Sequence, residues 1–319
     1  MIDPPSTTVL VNPAAGRGKV GRAWAELEPA LRAALGEVQF AVSDRPGGVE
    51  ALARAAVARG KTTLLSLGGD GTHNEVVNGV MATAPPPGEV TFGVLPAGTG
   101  GDFARILAAP RDPIGAARAL VGAPTAPLDL GRVTSGAGHA ARTRYFVNMA
   151  TFGMSGLVSA LAKRSRAAFG GRATYFLAAV RGLLRYQPSR VRLTADGALL
   201  GEQMVNTVAL GNAPYCGGGM RMTPDALPGD GWLDGVVVEQ RPRLRMLTLA
   251  SAVYTGAHVG REFVRTFRAR RVEAELVGSG DAALDLDGET WGSLPATFEV
   301  VPGALKLLGA LRTSSSASL

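Results

Sequence analysis

The sequence predicts a parallel α/β domain that contains a Gly-Gly-Asp-Gly loop, followed by a mostly antiparallel, β-sandwich-like domain. Three observations lead to this prediction. The chain has 319 residues, which is longer than a chain that ordinarily folds around a single hydrophobic core. Up to about residue 130, short apolar runs alternate with amphipathic stretches, as in a parallel sheet covered by helices. Beyond that point the apolar runs are mostly short, β-like and separated by turns.

Apolar runs predict the strands of the first domain, at residues 7–11, 38–42, 62–67 and 91–95. Amphipathic stretches between them predict helices, at residues 20–35, 49–59 and 73–81. In a parallel sheet the carboxyl ends of neighbouring strands meet at one edge. We therefore expect the loops that follow these strands to converge there.

Shorter runs predict the strands of the second domain, at residues 144–150, 190–195, 204–212, 235–239, 271–276 and 297–302. Two helical stretches interrupt them, at residues 155–186, with a break near Gly170, and at residues 243–267. The predicted domains are an α/β domain at 1–132, to which segment 296–312 returns, and a β-rich domain at 133–295. The Ser-rich tail at 313–319 is predicted to be disordered.

Composition and charge narrow the class of protein. Hydrophobic residues make up 46% and charged residues 18%, which indicates a globular chain. The single cysteine, Cys216, excludes a disulfide framework and a cysteine-rich metal site. A net charge of +7 favours anionic partners without choosing between nucleic acid, acidic lipid and phosphorylated metabolites. No signal-like segment or apolar run of roughly 18–20 residues occurs, so we expect a cytoplasmic protein that touches membranes without crossing them.

A glycine-rich segment at residues 12–19 joins the first predicted strand to the first predicted helix. Its glycines let the backbone approach a phosphate closely, and the helix N-terminus offers free N–H groups. Residues 16–21 also match the dinucleotide fingerprint GxGxxG, with Asp44 at a distance suited to a ribose contact. Against that interpretation, residues 12–15 separate the strand from the first glycine. A Walker A motif does not match this segment.

The strongest functional signal is the segment at residues 67–75, Leu-Gly-Gly-Asp-Gly-Thr-His-Asn-Glu. A predicted buried strand runs into a glycine turn with one carboxylate, Asp70, and a helix then opens with polar residues. Such a turn directs N–H groups, a hydroxyl and a carboxylate at one point, as a nucleotide polyphosphate with Mg²⁺ requires. The alternative is a tight turn in which Asp70 caps the helix. Residues 95–103 repeat the pattern with Thr99 and Asp102, so a nucleotide crevice is predicted.

An acidic cluster, Asp285-Leu286-Asp287-Gly288-Glu289, lies near the C-terminus. Its ordinary explanation is a β-hairpin with Asp-Gly at the tip. An EF-hand does not fit, because its first and last ligand positions would be alanine and leucine. On the residue pattern alone, catalysis by Glu289 is one alternative beside the hairpin.

The stretch at residues 158–192 holds eight Lys and Arg residues and no Asp or Glu, interleaved with aromatic and leucine side chains. A basic amphipathic helix of this kind suits an anionic membrane surface. The alternative is a helix that packs on the core and exposes a solvated face. The sequence leaves both open.

In their order and spacing, these segments resemble the diacylglycerol kinase and sphingosine kinase family, above all its soluble bacterial diacylglycerol-kinase-like branch. The resemblance begins with residues 12–19, 68–75 and 96–99. It continues through residues 129–131, 148–150, 211–219, 224–231 and 287–289, and so spans nearly the whole chain. The combination is specific, although no single segment is.

The resemblance implies an ATP site made by Asn12, Pro13, Gly16, Gly18, Lys19, Ser43, Gly68, Gly69, Gly71, Thr72, Asn74, Glu75 and Thr99. It implies that Glu289 is the general base that takes the proton of the lipid hydroxyl. Asp70 would lie at the metal–phosphate centre, or would act as the base instead. A structural Mg²⁺ would bind Asp230 and the carbonyl groups of Leu227 and Trp232.

The pattern departs from the family in one visible place. Gly101 stands where family members usually carry asparagine, which removes one side-chain hydrogen bond from the third loop. Thr72 and Asn74 differ from the residues of sphingosine kinases, which favours an acceptor other than sphingosine. Sphingoid bases and other lipid or polyketide alcohols stay open as acceptors.

Two other functions are compatible with parts of this pattern. An NAD kinase also uses a Gly-Gly-Asp-Gly loop and a β-rich second domain, but no Thr-Gly-Ser-Thr-like segment is present. A catalytically silent lipid-binding or nucleotide-binding module is disfavoured by the joint presence of Asp70, Thr99, Asp230 and Glu289. We expect a membrane lipid as substrate and no nucleic-acid partner. The oligomeric state stays open, with a homodimer as one option.

Overall fold

The computed structural model describes residues 2–98, 101–136, 138–164, 171–278 and 282–312. The chain forms two compact units. The α/β unit consists of Met1–Asp129 and Pro302–Leu319, and the β-rich unit consists of Leu130–Val301.

The α/β unit is built on parallel strands. Its strands are β1 Thr7–Val11, β2 Gln39–Val42, β3 Thr63–Gly68 and β4 Thr91–Pro96. Its helices are α1 Ala15–Arg22, α2 Trp24–Leu35, α3 Gly48–Ala58, α4 Asp70–Met81 and α5 Pro113–Leu120. The strand order is β4-β3-β1-β2, and every pairing is parallel.

Every residue of β1 and β3 is buried, which indicates that helices cover both faces of this sheet. One core cluster packs strand residues such as Val9 and Leu65 against Leu31 of α2 and Leu120 of α5. The four predicted strands are confirmed to within a residue or two. The single helix predicted at residues 20–35 is wrong, since Ala23 has non-helical dihedral angles (φ −96°, ψ 8°) and separates α1 from α2.

The β-rich unit is mostly antiparallel. Its strands are β5 Thr125–Ser135, β6 Arg142–Phe146, β7 Met149–Gly153, β8 Ser189–Ala195, β9 Ala198–Gly211, β10 Tyr215–Cys216, β11 Met220–Arg221, β12 Leu233–Glu239, β13 Val264–Ala269, β14 Arg271–Leu276, β15 Ala283–Leu286, β16 Glu289–Ser293 and β17 Ala296–Leu308. Its helices are α6 Met154–Arg164, α7 Gly171–Arg185 and α8 Arg243–Thr255.

Strand order in the β-rich unit is β16-β15-β7-β9-β8-β14-β17, and β12 with β13 lies along the other edge of β9. The chain crosses from one unit to the other within β5 and again within β17. The last part of β17 pairs in parallel with β4, so it completes the sheet of the α/β unit. The predicted fold class, a parallel α/β part and an antiparallel β-rich part, is confirmed.

Two elements of the β-rich unit differ from the prediction. The strand predicted at residues 144–150 is split into β6 and β7, because the N–H groups of Val147 and Asn148 donate to the carboxylate of Asp287. The helix predicted at 243–267 ends at Thr255, where Gly256 adopts a left-handed conformation (φ 82°). The last part of that stretch is strand β13, which pairs with β12.

The helices of the β-rich unit include the basic stretch. Helices α6 and α7 replace the long helix predicted there, and the predicted break near Gly170 and the tail at 313–319 lie outside the described residues. Within the described part of the chain, none of the helices has the length and apolar character needed to cross a bilayer.

Candidate active site

The first glycine loop follows β1 and turns sharply. Gly16, Arg17 and Gly18 all have left-handed backbone conformations, with φ of 60°, 60° and 78°. A Cβ atom at Gly16 would lie 2.8 Å from the carbonyl oxygen of Ala97, so only glycine permits this approach between the first and third loops. The side chain of Lys19 is exposed beside the loop.

Asn12 connects the first loop to the second. Its Nδ2 donates to Oγ1 of Thr72 at 2.9 Å, and its Oδ1 accepts the N–H of Ala14 at 3.0 Å. Thr72 is buried in the first turn of α4, and a Cβ atom on Gly68 would lie 2.3 Å from its Oγ1. The carbonyl oxygen of Pro13 accepts the N–H of Gly21, which holds the loop against α1. These contacts explain why the residue types at these positions are so restricted.

Asp70 connects the second loop to the third. It is the first residue of α4, and its two carboxylate oxygens accept the N–H groups of Asp102 and Phe103, each at 3.0 Å. The two loops also touch through glycines, since a Cβ atom on Gly98 would lie 2.5 Å from Cα of Gly69. The helix-cap alternative for Asp70 thus gives way to a link between loops.

His73 lies directly behind this link. The ring is buried, and its Nδ1 is 2.8 Å from Oγ of Ser66 on β3. Burial lowers the pKa of His73 to about 4, and the negative charge of Asp70 opposes that shift. The imidazole is therefore neutral at pH 7 and serves as part of the packing beneath the loops.

Three other residues predicted to contact the nucleotide have contacts within the α/β unit. Oγ of Ser43 donates to the carbonyl oxygen of Arg45 at 2.7 Å. Oε2 of Glu75 accepts the N–H of Val49 in the first turn of α3 at 3.1 Å. Asn74 is buried, and its Oδ1 accepts a hydrogen bond from Asn78 at 3.0 Å. These contacts indicate that the three side chains position the surrounding elements.

The structure thus brings together most of the predicted nucleotide site. Asn12, Gly16, Gly68, Gly69, Asp70 and Thr72 belong to one set of interlocked loops at the carboxyl ends of β1, β3 and β4. Gly71 lies in the first turn of α4, whose N-terminal N–H groups face the same loops. Thr99 lies outside the described residues. The glycine-rich backbone and the helix N-terminus fit an anionic polyphosphate.

In the β-rich unit, the acidic cluster forms the predicted hairpin. Strands β15 and β16 pair Leu286 with Glu289, and Asp287 and Gly288 make the turn with φ of 51° and 89°. The carboxylate of Asp287 accepts three backbone N–H groups from residues 147–149, at 2.8 to 2.9 Å. Asp287 therefore fixes the hairpin to the start of β7, and Glu289 is exposed just beyond the turn.

A cavity of about 1080 Å³, including its open mouth, lies beside this hairpin within the β-rich unit. Its apolar lining includes Met149, Met154, Val158, Val180, Leu183, Met220, Met222, Val238, Met246, Leu247, Leu249 and Val253. Its polar lining includes Thr151, Asn206, Thr207, Asp285 and Asp287. A largely apolar cavity with a few polar groups is suited to a lipid-like ligand.

No local sequence motif predicts this cavity. The lining residues come from six strands and all three helices of the β-rich unit, so no local motif marks them. One signal was available. The chain has eight methionines, and five of them line the cavity. Methionine is common on binding surfaces that must adapt to flexible apolar ligands.

The predicted metal site contains an arginine in the structure. One carboxylate oxygen of Asp230 accepts the N–H of Trp232 at 3.1 Å, and the other accepts a hydrogen bond from Arg268. The carbonyl oxygen of Leu227 accepts the N–H of Gly229. Burial raises the pKa of Asp234 nearby; Arg268 opposes this rise, and the charges of Asp230 and Asp225 add to it.

This arrangement only partly fits Mg²⁺. Among the described residues, no group of three or more His, Cys, Asp or Glu side chains is placed to hold a metal ion. Mg²⁺ requires an octahedral set of oxygen ligands. The cation that Asp230 contacts here is the guanidinium of Arg268, so a metal at this position would require Arg268 to move away.

Two family models match successive parts of the chain. The diacylglycerol kinase catalytic domain family matches residues 6–133, and the YegS C-terminal NAD kinase beta sandwich-like domain family matches residues 148–309. The chain is 32% identical over 305 residues to a diacylglycerol kinase of Mycobacterium tuberculosis, with 94% of each chain covered. It is 30% identical over 292 residues to a diacylglycerol kinase of Bacillus subtilis, with 91% of each covered.

The fold is also similar to that of solved structures. A crystal structure of a diacylglycerol kinase from Bacillus anthracis str. Sterne superposes with a TM-score of 0.69 at 20% identity, covering 95% of this chain and 96% of that one. At this identity the superposition supports the fold alone. Because of the domain matches and the full-length relatives above, this chain belongs to the diacylglycerol kinase family of lipid kinases.

Proposed function

We propose that this protein is an ATP-dependent lipid kinase that phosphorylates the hydroxyl group of a membrane lipid. Diacylglycerol, the acceptor in the names of the relatives, is the first candidate, and phosphatidic acid is then the product. The observation that carries the proposal is the apolar cavity beside the Asp-Gly-Glu hairpin, in a chain that also has interlocked glycine loops.

In this proposal the α/β unit binds ATP. The loop at residues 12–19, with Gly16, Gly18 and Lys19, and the turn at residues 68–72 hold the phosphates through backbone N–H groups. Mg²⁺ bound with the nucleotide neutralises part of the phosphate charge. Asp70 keeps the second and third loops in one arrangement through its two backbone hydrogen bonds.

The β-rich unit binds the acceptor, with its acyl chains in the cavity. Glu289 directly follows Gly288, which lines the cavity, and is assigned as the base. The hydroxyl oxygen forms a bond to the γ-phosphorus while the bond from that phosphorus to the bridging oxygen of ADP breaks. The hydroxyl proton passes to the Glu289 carboxylate, and ADP leaves.

The test is γ-labelled ATP with Mg²⁺ and mixed micelles that contain 1,2-dioctanoylglycerol. The expected product is labelled phosphatidic acid. Parallel reactions contain total membrane lipid or NAD in place of the diacylglycerol. A different labelled lipid would contradict diacylglycerol as the acceptor, and labelled NADP would support the NAD kinase alternative. If no lipid is labelled under any condition, the kinase proposal is wrong for this chain.

A second part of the proposal concerns peripheral contact with an anionic membrane. Leu177 and Leu184 on α7 and Leu244 and Leu247 on α8 are all large, exposed apolar residues, and Leu247 also lines the cavity. Neither helix contains an acidic residue. Exposed leucines among arginines suit the interface of an anionic bilayer.

The arginines expected to dock on the membrane are only partly described. Arg166 lies outside the described residues, and the structure does not describe the side chains of Arg164 and Arg172. Arg181 is exposed on α7, and Nη2 of Arg243 donates to the carbonyl oxygen of Leu184 at 3.2 Å. The ends of the two helices are therefore tied together where the exposed leucines lie.

A further inference from the structure

The cavity of the β-rich unit changes in polarity from one side to the other. Thr151 of β7 lies opposite Asp285 of β15 on one side and opposite Ala209 of β9 on the other. Val236 of β12 follows Ala209 in the same row, and residues paired in this way share one face of the sheet. Thr151 and Asp285 line the cavity, whereas Ala209 and Val236 belong to an apolar core cluster. A bound lipid should therefore place its glycerol and ester groups towards β15 and its chains towards β12.

Helix α6 lies at the polar side of the cavity. It begins directly after Gly153, the last residue of β7, which turns the chain with φ of 96°. Its first turn packs on β15, since a Cβ atom on Gly156 would lie 3.1 Å from the carbonyl oxygen of Ala283. The spacing of its lining residues shows that one face of α6 is turned to the cavity. These residues are Met154, Ser155, Val158 and Ser159.

The hydroxyl group of Ser155 differs from other polar groups of the lining. Oγ1 of Thr207 donates to Oδ1 of Asn206 at 3.2 Å, and Nδ2 of Asn206 donates to Oε1 of Gln240 at 3.3 Å. Oγ of Ser155 is buried, and it has no hydrogen-bond partner in the part of the chain that the structure describes. A serine inside a helix often donates to the carbonyl four residues before it, but here that residue belongs to β7. Because an unpaired buried hydroxyl is costly, a ligand that accepts its hydrogen bond is favoured.

We propose that Ser155 selects acyl lipids by donating a hydrogen bond to an ester carbonyl oxygen of the acceptor. The inference rests on the proposed function and deepens it, because diacylglycerol carries two such carbonyl groups near its hydroxyl. Ser155 is half-buried, and rotation about its Cα–Cβ bond turns the hydroxyl towards the cavity when the lipid enters. An ether oxygen is a weaker acceptor than a carbonyl oxygen. A glycerol lipid with ester-linked chains is therefore a better acceptor than one with ether-linked chains.

The test compares 1,2-dioctanoyl-sn-glycerol with 1,2-dioctyl-sn-glycerol, its ether counterpart, which lacks both carbonyl groups. The wild type should prefer the ester in kcat/KM, and Ser155→Ala should reduce this preference by roughly 3- to 10-fold, the size of one neutral hydrogen bond. Turnover of the ether should change little, because it offers Ser155 no carbonyl. Esters and ethers also differ in other respects, so the change in preference between the two proteins is the deciding quantity.

Matched variants separate the hydroxyl from the shape of the side chain. Ser155→Thr keeps the hydroxyl and should keep the preference, whereas Ser155→Val has a methyl group in its place and should lose it. Ser251→Ala removes an exposed serine of α8 outside the cavity lining and should leave the preference unchanged. If Ser155→Ala and Ser155→Val lost turnover of both lipids equally, Ser155 would support the shape of the cavity without reading the carbonyl, and the inference would be overturned.

A binding experiment without ATP separates this inference from the proposed function. Both lipids are titrated in detergent micelles against the wild type and Ser155→Ala, and the shift of the melting temperature is recorded. If neither lipid is phosphorylated but the wild type binds the ester more tightly and Ser155→Ala loses that difference, the kinase proposal fails and the inference stands. If both lipids are phosphorylated and Ser155→Ala keeps the preference of the wild type, the kinase proposal stands and the inference is overturned.

Discussion

The α/β unit and the β-rich unit build their candidate sites in different ways. In the α/β unit the site consists mainly of backbone, in three loops whose glycines and short polar side chains hold one another. In the β-rich unit the site consists of side chains around a cavity, and the residues come from strands and helices that are far apart in sequence. A backbone site needs particular residues at fixed spacing, whereas a cavity needs only the right volume and polarity.

This difference decides what a substitution should do. A change in the loops of the α/β unit should alter nucleotide binding, and a change around the cavity should alter the acceptor. Single substitutions in each unit should therefore have separable effects on nucleotide binding and on the acceptor.

The largest effect is expected at Glu289. Replacing it by Gln removes the proposed proton acceptor, and turnover should fall by about 10²- to 10⁴-fold, the range for loss of a general base. Glu289 belongs to the β-rich unit and is exposed, so neither stability nor ATP affinity should change. Single-turnover kinetics and a calorimetric titration with ATP measure these quantities. Turnover within threefold of the wild type would remove Glu289 from the mechanism.

Asp70→Asn should act through the α/β unit. An amide places an NH₂ group against one of the two N–H groups of Asp102 and Phe103, so the link between loops weakens. Turnover should fall at least ~100-fold, as when a group that organises transition-state charge is lost, and ATP affinity should fall with it. The affinity for the lipid should not change.

The matched control for Asp70 is Asp112→Asn. Asp112 caps α5 in the same unit by accepting the N–H of Gly115, and asparagine is an equally good cap. This variant should keep wild-type turnover. If both variants lose activity together, a general effect on the α/β unit explains the loss, and the specific role of Asp70 is contradicted.

The elements of the α/β unit can be predicted from the sequence more closely than those of the β-rich unit. Strands β1, β3 and β4 are buried at nearly every position, and β3 and β4 run into glycine-containing loops, so their limits are clear from the sequence. The sequence predicts one helix at 243–267, which is wrong. Arginines at exposed positions are compatible both with the 3.6-residue period of a helix and with the two-residue period of a strand. Gly256 ends α8, and pairing with β12 decides the rest. Such long-range pairing is not contained in local periodicity.

The same holds for the candidate site. The glycine loops were predicted as a group, but the contacts of Asn12 with Thr72 and of Asp70 with Phe103 were not, since they join positions far apart in sequence. Ser43 and Glu75 also hold neighbouring elements of the α/β unit, and their predicted contact with nucleotide stays a prediction. The cavity escaped prediction entirely because its lining has no pattern in sequence.

His73 makes stability depend on pH through the α/β unit. Its pKa is about 4 in the folded protein against 6.5 ordinarily, because the ring is buried. As pH falls below 6.5 the unfolded chain binds a proton that the folded protein does not, so the free energy of unfolding decreases. The decrease continues to about pH 4 and amounts to about 3 kcal/mol. Urea unfolding at pH 7, 6, 5 and 4 measures it.

The variant His73→Gln should flatten that pH dependence, and His139→Gln, which removes an exposed histidine, should not. Burial also lowers the pKa of His258 in the β-rich unit, so His258→Gln should remove a separate part of the same slope. An unchanged slope in His73→Gln would show that this ring does not titrate as its burial requires.

Asp230 tests whether the β-rich unit holds a structural metal. Asp230→Ala leaves Arg268 with Asp234 as its remaining acidic neighbour, and the melting temperature should fall by about 3 °C, the equivalent of roughly 1 kcal/mol in a protein of this size. If Mg²⁺ binds Asp230, the wild type should melt at a higher temperature when Mg²⁺ is added, and Asp230→Ala should not.

Arg268→Gln is the informative partner for that experiment. It frees Asp230 from the arginine, so a metal site should gain affinity and the Mg²⁺-dependent rise in melting temperature should increase. If Mg²⁺ changes the melting temperature of none of the three proteins, the hypothesis of a structural metal is contradicted. Asp230 would then be the ion-pair partner of Arg268.

The smallest single effect is expected for membrane contact by the β-rich unit. Arg181→Gln should weaken binding to anionic vesicles about fivefold at low salt, because one arginine near such a surface contributes about 1 kcal/mol. The effect should vanish in high salt, where the Debye length is short.

Leu244→Ser removes the most exposed of the leucines, and its effect should persist at every salt concentration, since burial of apolar surface is not screened. Co-sedimentation with phosphatidylglycerol vesicles measures both, and turnover of a short-chain, micellar acceptor should be nearly unchanged in both variants. Equal vesicle binding by the wild type, Arg181→Gln and Leu244→Ser would mean that α7 and α8 are a solvated face, and that the cavity is reached by lipid without this surface.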